Sequence, residues 1–413
     1  MFLEKIVNLN TKKKMFLFYI ASISIGIFSG ITNFSFFNEM AEVIAAIFIR
    51  LFKFISLPLI SLSLLTSLAK CTPETGMVRA WIKTVYYTIF TTMFAALVAL
   101  IMYNIISPMN MVQHSDEVPI HIKETSYVQF ISNFIPENFV APFLESHVIG
   151  ILLISGAVAI AIHFIDNART KDIVITFFIG MHSVFFTITQ WVMKIIPIAV
   201  GSFIAVTILN ARNGANFTGL GEYLSVIALS NIVQGAIILP TFLLVNGLNP
   251  LRIFKGMSPA LLVAFFSKSS AGTLPVTMRS AEQNLNISPQ ISRSILPFCT
   301  SVNMNGCAVF ILITVVYVMQ NNGIVMSLSS MFIWVIIASL SAIGNAGVPM
   351  GCFFLSASLL TNIGVPIHLM SVILPFYAML DMLETGLNVW SDCCVTAIID
   401  KRYAKTYNQN IGT

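Results

Sequence analysis

Five polar residues near the C-terminal end, Asp381, Glu384, Thr385, Asn388 and Asp392, sit at offsets of 0, 3, 4, 7 and 11. On a helix turning about 100° per residue they share an arc of about 100°. One stripe therefore carries three carboxylates, an amide and a hydroxyl, while Met382, Leu383, Leu387 and Val389 point elsewhere. In apolar surroundings each buried charge costs about 2.5–3.5 kcal/mol, so the stripe calls for cations or cationic groups to meet it. A salt-bridged packing face, with Lys268 or Arg279 as partners, is the structural alternative. Asp381 and Glu384 lie one turn apart on one helix, which suits binding better than an acid dyad. No nucleophile–base pair or metal spacing stands near them, so the stripe is not the signature of an enzyme.

The stretch upstream supplies complementary groups. Apolar runs after Leu248 are interrupted by Ser267-Lys268-Ser269-Ser270-Ala271-Gly272-Thr273-Leu274-Pro275, by Asn303-Met304-Asn305-Gly306, and by Gly344-Asn345-Ala346-Gly347-Val348-Pro349-Met350-Gly351. Backbone freed at such breaks is tolerated in a membrane only where it lines a protein-enclosed cavity. Ser269, Ser270 and Gly272 can offer hydroxyls and N–H groups at a helix end to a carboxylate. Asn303 and Asn305 can break a helix opposite Asn388 and Asp392, leaving oxygen ligands for a hard monovalent cation. The first and third clusters share a polar–Ala–Gly–apolar–Pro core, and each precedes a long helix with polar residues in its middle. Interrupted segments repeated in this way are the sequence mark of a secondary-transport site.

The elements that position these groups follow from composition. Of 413 residues, 57% are hydrophobic and only 9% are charged, against about 25% charged in a typical soluble domain; the mean hydropathy is +0.87. Apolar runs of membrane-spanning length predict an all-α polytopic membrane protein, and nothing alternates over the ~10 residues of a barrel strand. Six apolar segments, near 15–34, 42–69, 80–107, 128–165, 172–208 and 219–247, precede the interrupted half, with an acidic outer loop at 107–126. Arg50, Lys53 and Lys194 are exceptions that need polar surroundings or room to snorkel.

The net charge of +5 is spread over helix ends and forms no nucleic-acid patch. Lys12, Lys13, Lys14, Lys70, Arg79, Lys83, Arg169, Lys171, Arg252, Lys255, Lys401 and Arg402 fall in alternate gaps or in the tails, and the opposite gaps hold Glu39, Glu42, Asp116, Glu117 and Glu124. The asymmetry places both termini in the cytoplasm, and no cleavable signal is expected. Absence of long loops fits a bacterial inner (plasma) membrane. The six cysteines read as small packing residues.

The motifs together resemble the dicarboxylate/amino acid:cation symporters, the glutamate transporter family. The likeness runs from about Val43 to Lys401 and rests on four ordered motifs. These are Ser-Ser-Ala-Gly-Thr-Leu-Pro-Val-Thr at 269–277, Asn-Met-Asn-Gly at 303–306, Ala-Gly-Val-Pro at 346–349 and Asp-Met-Leu-Glu-Thr-Gly-Leu-Asn-Val-Trp-Ser-Asp at 381–392. The resemblance implies eight spanning helices and two re-entrant hairpins built as inverted repeats, working as an elevator in a homotrimer embedded in lipid. Residues 1–247 would hold six helices: the trimerisation scaffold (helices 1, 2, 4 and 5) with helices 3 and 6 of the transport domain. Residues 248–403 would form the transport core, whose outer hairpin gates the site, and 404–413 a cytoplasmic tail.

Carried over by motif, Asp381 would bind a substrate α-amino group, and Ser269, Ser270 and Asn388 its α-carboxylate. Gly272, Cys307, Gly347, Glu384 and Thr385 would line the pocket. Sodium ions would be the coupling ions, with no organic cofactor. Asp392 with backbone oxygens of Cys299, Asn303 and Asn388 would form one sodium site. Backbone oxygens of Ser301, Ala342, Ile343 and Asn345 would form another.

Two departures from the family pattern carry consequences. Asn305 replaces an acidic sodium ligand, and Tyr87-Thr88-Ile89-Phe90-Thr91 puts Phe90 at a second ligand position of that same deepest site. The site is then expected to be weak or lost, leaving about two coupling sodium ions. Glu384 stands where members that carry acidic substrates have an arginine, and like charges so placed cost several kcal/mol. Glu384 could receive a cationic or hydrogen-bonding side chain, carry a proton, or be neutralised by Lys268. The expected function is sodium-driven import of a neutral or cationic amino acid, with protons as an additional candidate coupling ion. The alternatives are a glutamate or aspartate symporter with Glu384 neutralised, and an ion channel.

Overall fold

The computed structural model describes residues 2–32, 34–69, 78–111, 136–145, 147–212, 218–324, 326–345, 347 and 350–411. Among the described residues all regular structure is helical. The first half contains α1 (Phe2–Thr32), α2 (Ser35–Ala69), α3 (Val78–Ile106), the single turn α4 (Ala141–Leu144), α5 (Val148–His163) and α6 (Ala168–Arg212). It closes with α7 (Thr218–Val233), a π-helical turn Gln234–Ile238, and α8 (Leu239–Val245). The second half contains α9 (Pro250–Ser267), α10 (Ser270–Leu285), α11 (Pro289–Val302), α12 (Asn305–Asn321), α13 (Leu328–Ile343), α14 (Gly351–Asn362) and α15 (His368–Ile411).

Among the described residues, five helical stretches are long and apolar enough to cross a membrane: Arg79–Ile106, Ala168–Val192, Gly219–Val245, Pro289–Asn321 and His368–Tyr403. Shorter apolar helices include Leu17–Thr32, Leu57–Ala69, Val148–His163 and Leu328–Ile343. Their exposure differs in a way that orders the molecule. The apolar window of Pro289–Asn321 is 100% buried, whereas that of Ala168–Val192 is 6% buried. The broken α11–α12 pair is therefore the centre, and the first half of α6 faces outward.

Two sets of helices pack mainly among themselves. α1, α2 and α5 gather on α6 and on one another, and α1 crosses α6 closely where Gly26 meets Gly201. The Arg212 guanidinium donates to the carbonyls of Gly30 and Ile31, satisfying the C-terminal end of α1. The second set comprises α3, α7, the antiparallel hairpin α9–α10, α11, α12, the hairpin α13–α14, and α15. α12 is its axis: it contacts α3, α13, α14 and α15, and its residues from Asn305 to Met319 are all buried.

Several expected boundaries move. The segment expected at 128–165 is not one helix where it is described. Asn138 Oδ1 accepts from the Val140 and Ala141 N–H groups and starts the turn α4, and His147 leaves the helical region before α5 begins. Pro136, Pro142 and the polar Glu137-Asn138 pair explain the interruption; residues 128–135, and 112–126 of the expected outer loop, lie outside the described residues. α2 begins at Ser35, about two turns before 42. α15 continues to Ile411, so the described part of 404–413 is helical: no glycine or proline occurs between Tyr403 and Ile411 to stop the helix. Arg50 and Lys194 are exposed on the outer surface, where long cationic side chains can snorkel.

Candidate functional site

The site forms where three helix interruptions meet α15. The first is inside α11–α12. Asn303 and Met304 leave the helical region at ψ 73 and 64, and an interruption of this kind presents carbonyls at the end of α11 and N–H groups at the start of α12. Asn303 Nδ2 donates to Asp392 Oδ1 at 3.0 Å and to Ser391 Oγ at 2.8 Å. Thr300 Oγ1 donates to Asp392 Oδ2 at 3.3 Å. The Asp392 carboxylate thus receives a donor on each oxygen while fully buried.

The second and third interruptions are the hairpin tips. Lys268 takes a left-handed conformation that turns α9 back into α10. Ser269 caps α10 by accepting from Gly272 N at 3.0 Å, and its hydroxyl donates to Gly347 O of the other tip at 3.1 Å. Ala271 N–H reaches the same carbonyl. Gly347 has φ +68, and a side chain there would meet Ala271 N, Thr300 O and Ser270 Cβ at 3.1–3.2 Å. Both tips and the end of α11 therefore converge on one glycine that no larger residue can replace without strain.

α15 faces this junction with Asp381, Glu384, Thr385, Asn388, Ser391 and Asp392 all buried. Asp381 Oδ2 accepts from Met350 N, just before α14, at 3.3 Å. Tyr377, one turn earlier, donates towards Asp381 Oδ1 and Glu384 Oε2 at 3.5 and 3.3 Å. Glu384 Oε1 is buried with no hydrogen-bond partner. Asn388 ties the axis to α15: its Oδ1 accepts from Gly306 N at 2.8 Å and its Nδ2 donates to Cys307 Sγ at 3.3 Å. Asn345 Nδ2 donates to Cys307 Sγ at 2.8 Å and to Cys352 Sγ at 3.4 Å.

Beneath Asp392 lies a neutral network. Asn305 Nδ2 donates to Asn303 Oδ1 and Ser391 Oγ, both at 2.9 Å, and more weakly to Thr91 Oγ1 at 3.4 Å. Thr91 Oγ1 donates to Asn303 Oδ1 at 2.9 Å. Gln234 closes the network, donating from Nε2 to Asn305 Oδ1 at 2.8 Å and to Thr91 O at 3.2 Å. Gln234 opens the π-helical turn, the kind of local widening that re-aims a side chain within a helix.

The expected substrate residues are thus brought together: Ser269, Ser270 and Gly272 at one tip, Gly347 at the other, Cys307 on α12, and Asp381, Glu384, Thr385 and Asn388 on α15. Of the expected sodium residues, Cys299, Asn303 and Asp392 cluster at the α11 break, and Ala342, Ile343 and Asn345 close the C-terminal end of α13. The Ser301 hydroxyl turns away to Ser67 on α2. Phe90 faces outward, 39% exposed, and packs with Tyr86, Phe94 and Phe242, so Thr91 rather than Phe90 enters the network. The salt-bridged face is not formed: among the described residues neither Lys268 nor Arg279 pairs with the stripe, and Arg279 bonds Gln283. Sequence reading missed Tyr377, Thr300, Gln234 and Cys352. Tyr377 had a legible signal, because it lies four and seven residues before Asp381 and Glu384 on the same helical face.

Comparison with known proteins follows the same residues. The sequence profile described as the sodium:dicarboxylate symporter family matches residues 15–402. A Caenorhabditis elegans protein named as the sodium-dependent excitatory amino acid transporter glt-4 is 26% identical over 410 residues, covering 86% of this chain and 81% of that protein. Neutral amino acid transporter B(0) of Bos taurus is 27% identical over 397 residues, covering 88% and 73%. Excitatory amino acid transporter 3 of Mus musculus is 31% identical over 239 residues, 58% of this chain and 46% of that protein.

The close approach of α12 to α15 yields a direct test. A Cβ on Gly306 would come within 2.6 Å of Glu384 Cα and 2.7 Å of its carbonyl oxygen. Backbone cannot yield cheaply, so Gly306→Ala is expected to destabilise the protein by about 1–3 kcal/mol and to separate Asn388 from the start of α12. Thermal unfolding in detergent should show a lowered Tm for Gly306→Ala and an unchanged or raised one for Gly156→Ala, whose added methyl meets nothing within 4 Å.

Proposed function

The chain belongs to the sodium:dicarboxylate symporter family, membrane transporters and not enzymes, and on that premise we propose that it is a sodium-coupled importer of neutral or cationic amino acids. The observation that carries the substrate assignment is Glu384. Its carboxylate is 1% exposed, meets no cation among the described residues, and keeps one oxygen without a donor. A buried acceptor left in this way costs about 1–3 kcal/mol, which a donor-bearing substrate side chain would recover. An acidic side chain would add repulsion of several kcal/mol instead. Asp381 meets the substrate amino group, and the Ser269–Ser270 tip with Asn388 meets its carboxylate.

Transport proceeds as an elevator in this reading. The support is the packing of α1, α2, α5 and α6 on one another, apart from the set built on α12. The first group is the scaffold of a homotrimer and the second is the moving unit. The two hairpins are re-entrant, eight helices span the bilayer, and both termini lie on the cytoplasmic side of the plasma membrane. The α13–α14 hairpin is the gate, a reading supported by the light contact of its described tip residues with the opposite tip, the Ser269 hydroxyl and Ala271 N–H on Gly347 O.

About two sodium ions couple to each substrate. One is held near Asp392 with oxygens of Cys299, Asn303 and Asn388, and one at the end of α13 by oxygens of Ser301, Ala342, Ile343 and Asn345. A third, deeper site is disfavoured because the Asn303, Thr91 and Ser391 oxygens already accept from the Asn305 amide.

Two results are expected from the protein reconstituted in liposomes. An inward sodium gradient should drive uptake of neutral or basic amino acids while glutamate and aspartate are excluded. Glu384→Arg should move the ratio of acidic to neutral uptake by at least ~10-fold, and sodium-driven glutamate uptake by the unaltered protein would refute the assignment. The sodium dependence of uptake should have a Hill slope near two, and a slope or charge ratio requiring three ions would contradict the loss of the deep site.

A further inference from the structure

One cluster in the pocket has a chemistry that amino-acid binding does not require. Cys307 on α12, Cys352 on α14 and Glu384 on α15 each present a ligand atom, two thiol sulfurs and a carboxylate oxygen, all within 4.8 Å of one another. All three residues are about 99% buried. A thioether lies beside them, with Met304 Sδ at 4.0 Å from Cys307 Sγ. We propose that Cys307, Cys352 and Glu384 form a binding site for a single thiophilic divalent cation of the zinc or cadmium type.

The polar bookkeeping around the cluster points to a missing cation. The amide NH2 of Asn345 spans both sulfurs, at 2.8 and 3.4 Å, and Asn388 adds a donor to Cys307 at 3.3 Å. The positive edge of one amide thus lies where a metal would bridge the thiols. Two acceptors remain unmet, Glu384 Oε1 and Asn345 Oδ1, both buried. The cluster thus joins two sulfurs and a carboxylate, its direct donors among the described residues are the neutral Asn345, Asn388 and Tyr377 groups, and no ammonium or guanidinium pairs with it there.

Geometry and ligand softness select the ion. Metal–sulfur bonds of about 2.3 Å and metal–oxygen bonds of about 2.0–2.2 Å place tetrahedral ligands roughly 3.4–3.8 Å apart. Closing from separations of up to 4.8 Å therefore needs side-chain movements of about 1 Å or less. Thiolate ligands favour zinc and cadmium over hard cations such as sodium, so this site is chemically distinct from the oxygen sites near Asp392 and α13. On binding, each thiol releases its proton to the medium as the metal–sulfur bond forms. The fourth position stays open, and the bound ion would occupy the space beside Glu384, competing with a substrate side chain. Only that last consequence depends on the proposed transport function.

The test uses the full-length protein in detergent, cadmium chloride alone as the probe, and no transported solute. One cadmium ion per chain is expected, with a thiolate-to-cadmium absorption band in the ultraviolet. Cys307→Ser and Cys352→Ser should each weaken binding at least ~100-fold, while a chain with Cys71, Cys299, Cys393 and Cys394 all changed to Ser keeps the band. In the unaltered protein, cadmium should protect Cys307 and Cys352 from alkylation, read by mass spectrometry, which decides the matter even if a serine variant fails to fold. Absence of the band, its survival without Cys307 and Cys352, or unprotected alkylation would each overturn the proposal. Loss of amino-acid uptake with the cadmium site intact would count against the transport reading alone.

Discussion

The constraint on which the structure turns is the burial of three carboxylates on one face of α15 with no ion pair among the described residues to meet them. Asp381, Glu384 and Asp392 are each at most 4% exposed. At roughly 2.5–3.5 kcal/mol apiece, their presence could not be sustained by packing alone. What surrounds them instead is a set of oriented dipoles. Asp392 receives one donor on each oxygen from the α11 break, and hydrogen bonds to charged groups contribute about 1.5–3 kcal/mol each. Asp381 receives the backbone N–H preceding α14 and a tyrosine hydroxyl. Glu384 receives half as much, and it is the residue whose second oxygen faces no donor. Glu384 is thus the half-met carboxylate between two that are met on both oxygens.

Helix interruptions make this possible. Unbroken helices would pair their backbone groups internally and leave α15 facing methyl and methylene groups. Three interruptions, at 268–269, at 303–304 and at the described tip residues Gly344, Asn345, Gly347 and Met350, release N–H and C=O groups in the same small volume, and Gly347 lets them approach within van der Waals contact. The cost of unpaired backbone in a membrane is kept low because the apolar stretch of the α11–α12 pair is buried within the protein.

Much of this was legible in the sequence, and the reasons for the rest are specific. The stripe on α15 follows from 3.6-residue periodicity, and the tips follow from Gly, Ser and Pro clusters where apolar runs should continue. Periodicity cannot follow a π-helical turn, because one added residue rotates everything beyond it, and Gln234 is not singled out within the 219–247 run of the sequence. Cys307 and Cys352 lie on separate elements 45 residues apart, and only the folding of α14 against α12 brings them together. The packing reading of the cysteines fits Cys299, Cys393 and Cys394, which sit among apolar side chains. Neighbours on a helix point about 100° apart, so Phe90 faces outward while Thr91 leads inward to the network.

Replacing a carboxylate by an amide at 305 changes more than one charge. A carboxylate only accepts, whereas an asparagine side chain also donates, so the surrounding oxygens must become acceptors from protein instead of ligands to an ion. Asn303, Ser391 and Thr91 fill that role, and Gln234 supplies the donor that the Asn305 carbonyl oxygen then needs. The four residues come from α3, the π-helical turn, α11 and α15, so the exchange ties together helices that an ion would otherwise bridge. Asn303 belongs both to this network and to the Asp392 site, and Asn388, one turn before Ser391, holds the start of α12. A ligand that draws on Asn388 therefore acts on the same short stretch of α15 that orients Asp392. On the proposed function, coupling between substrate and cation needs no long pathway, because both would bias the position of one turn of helix.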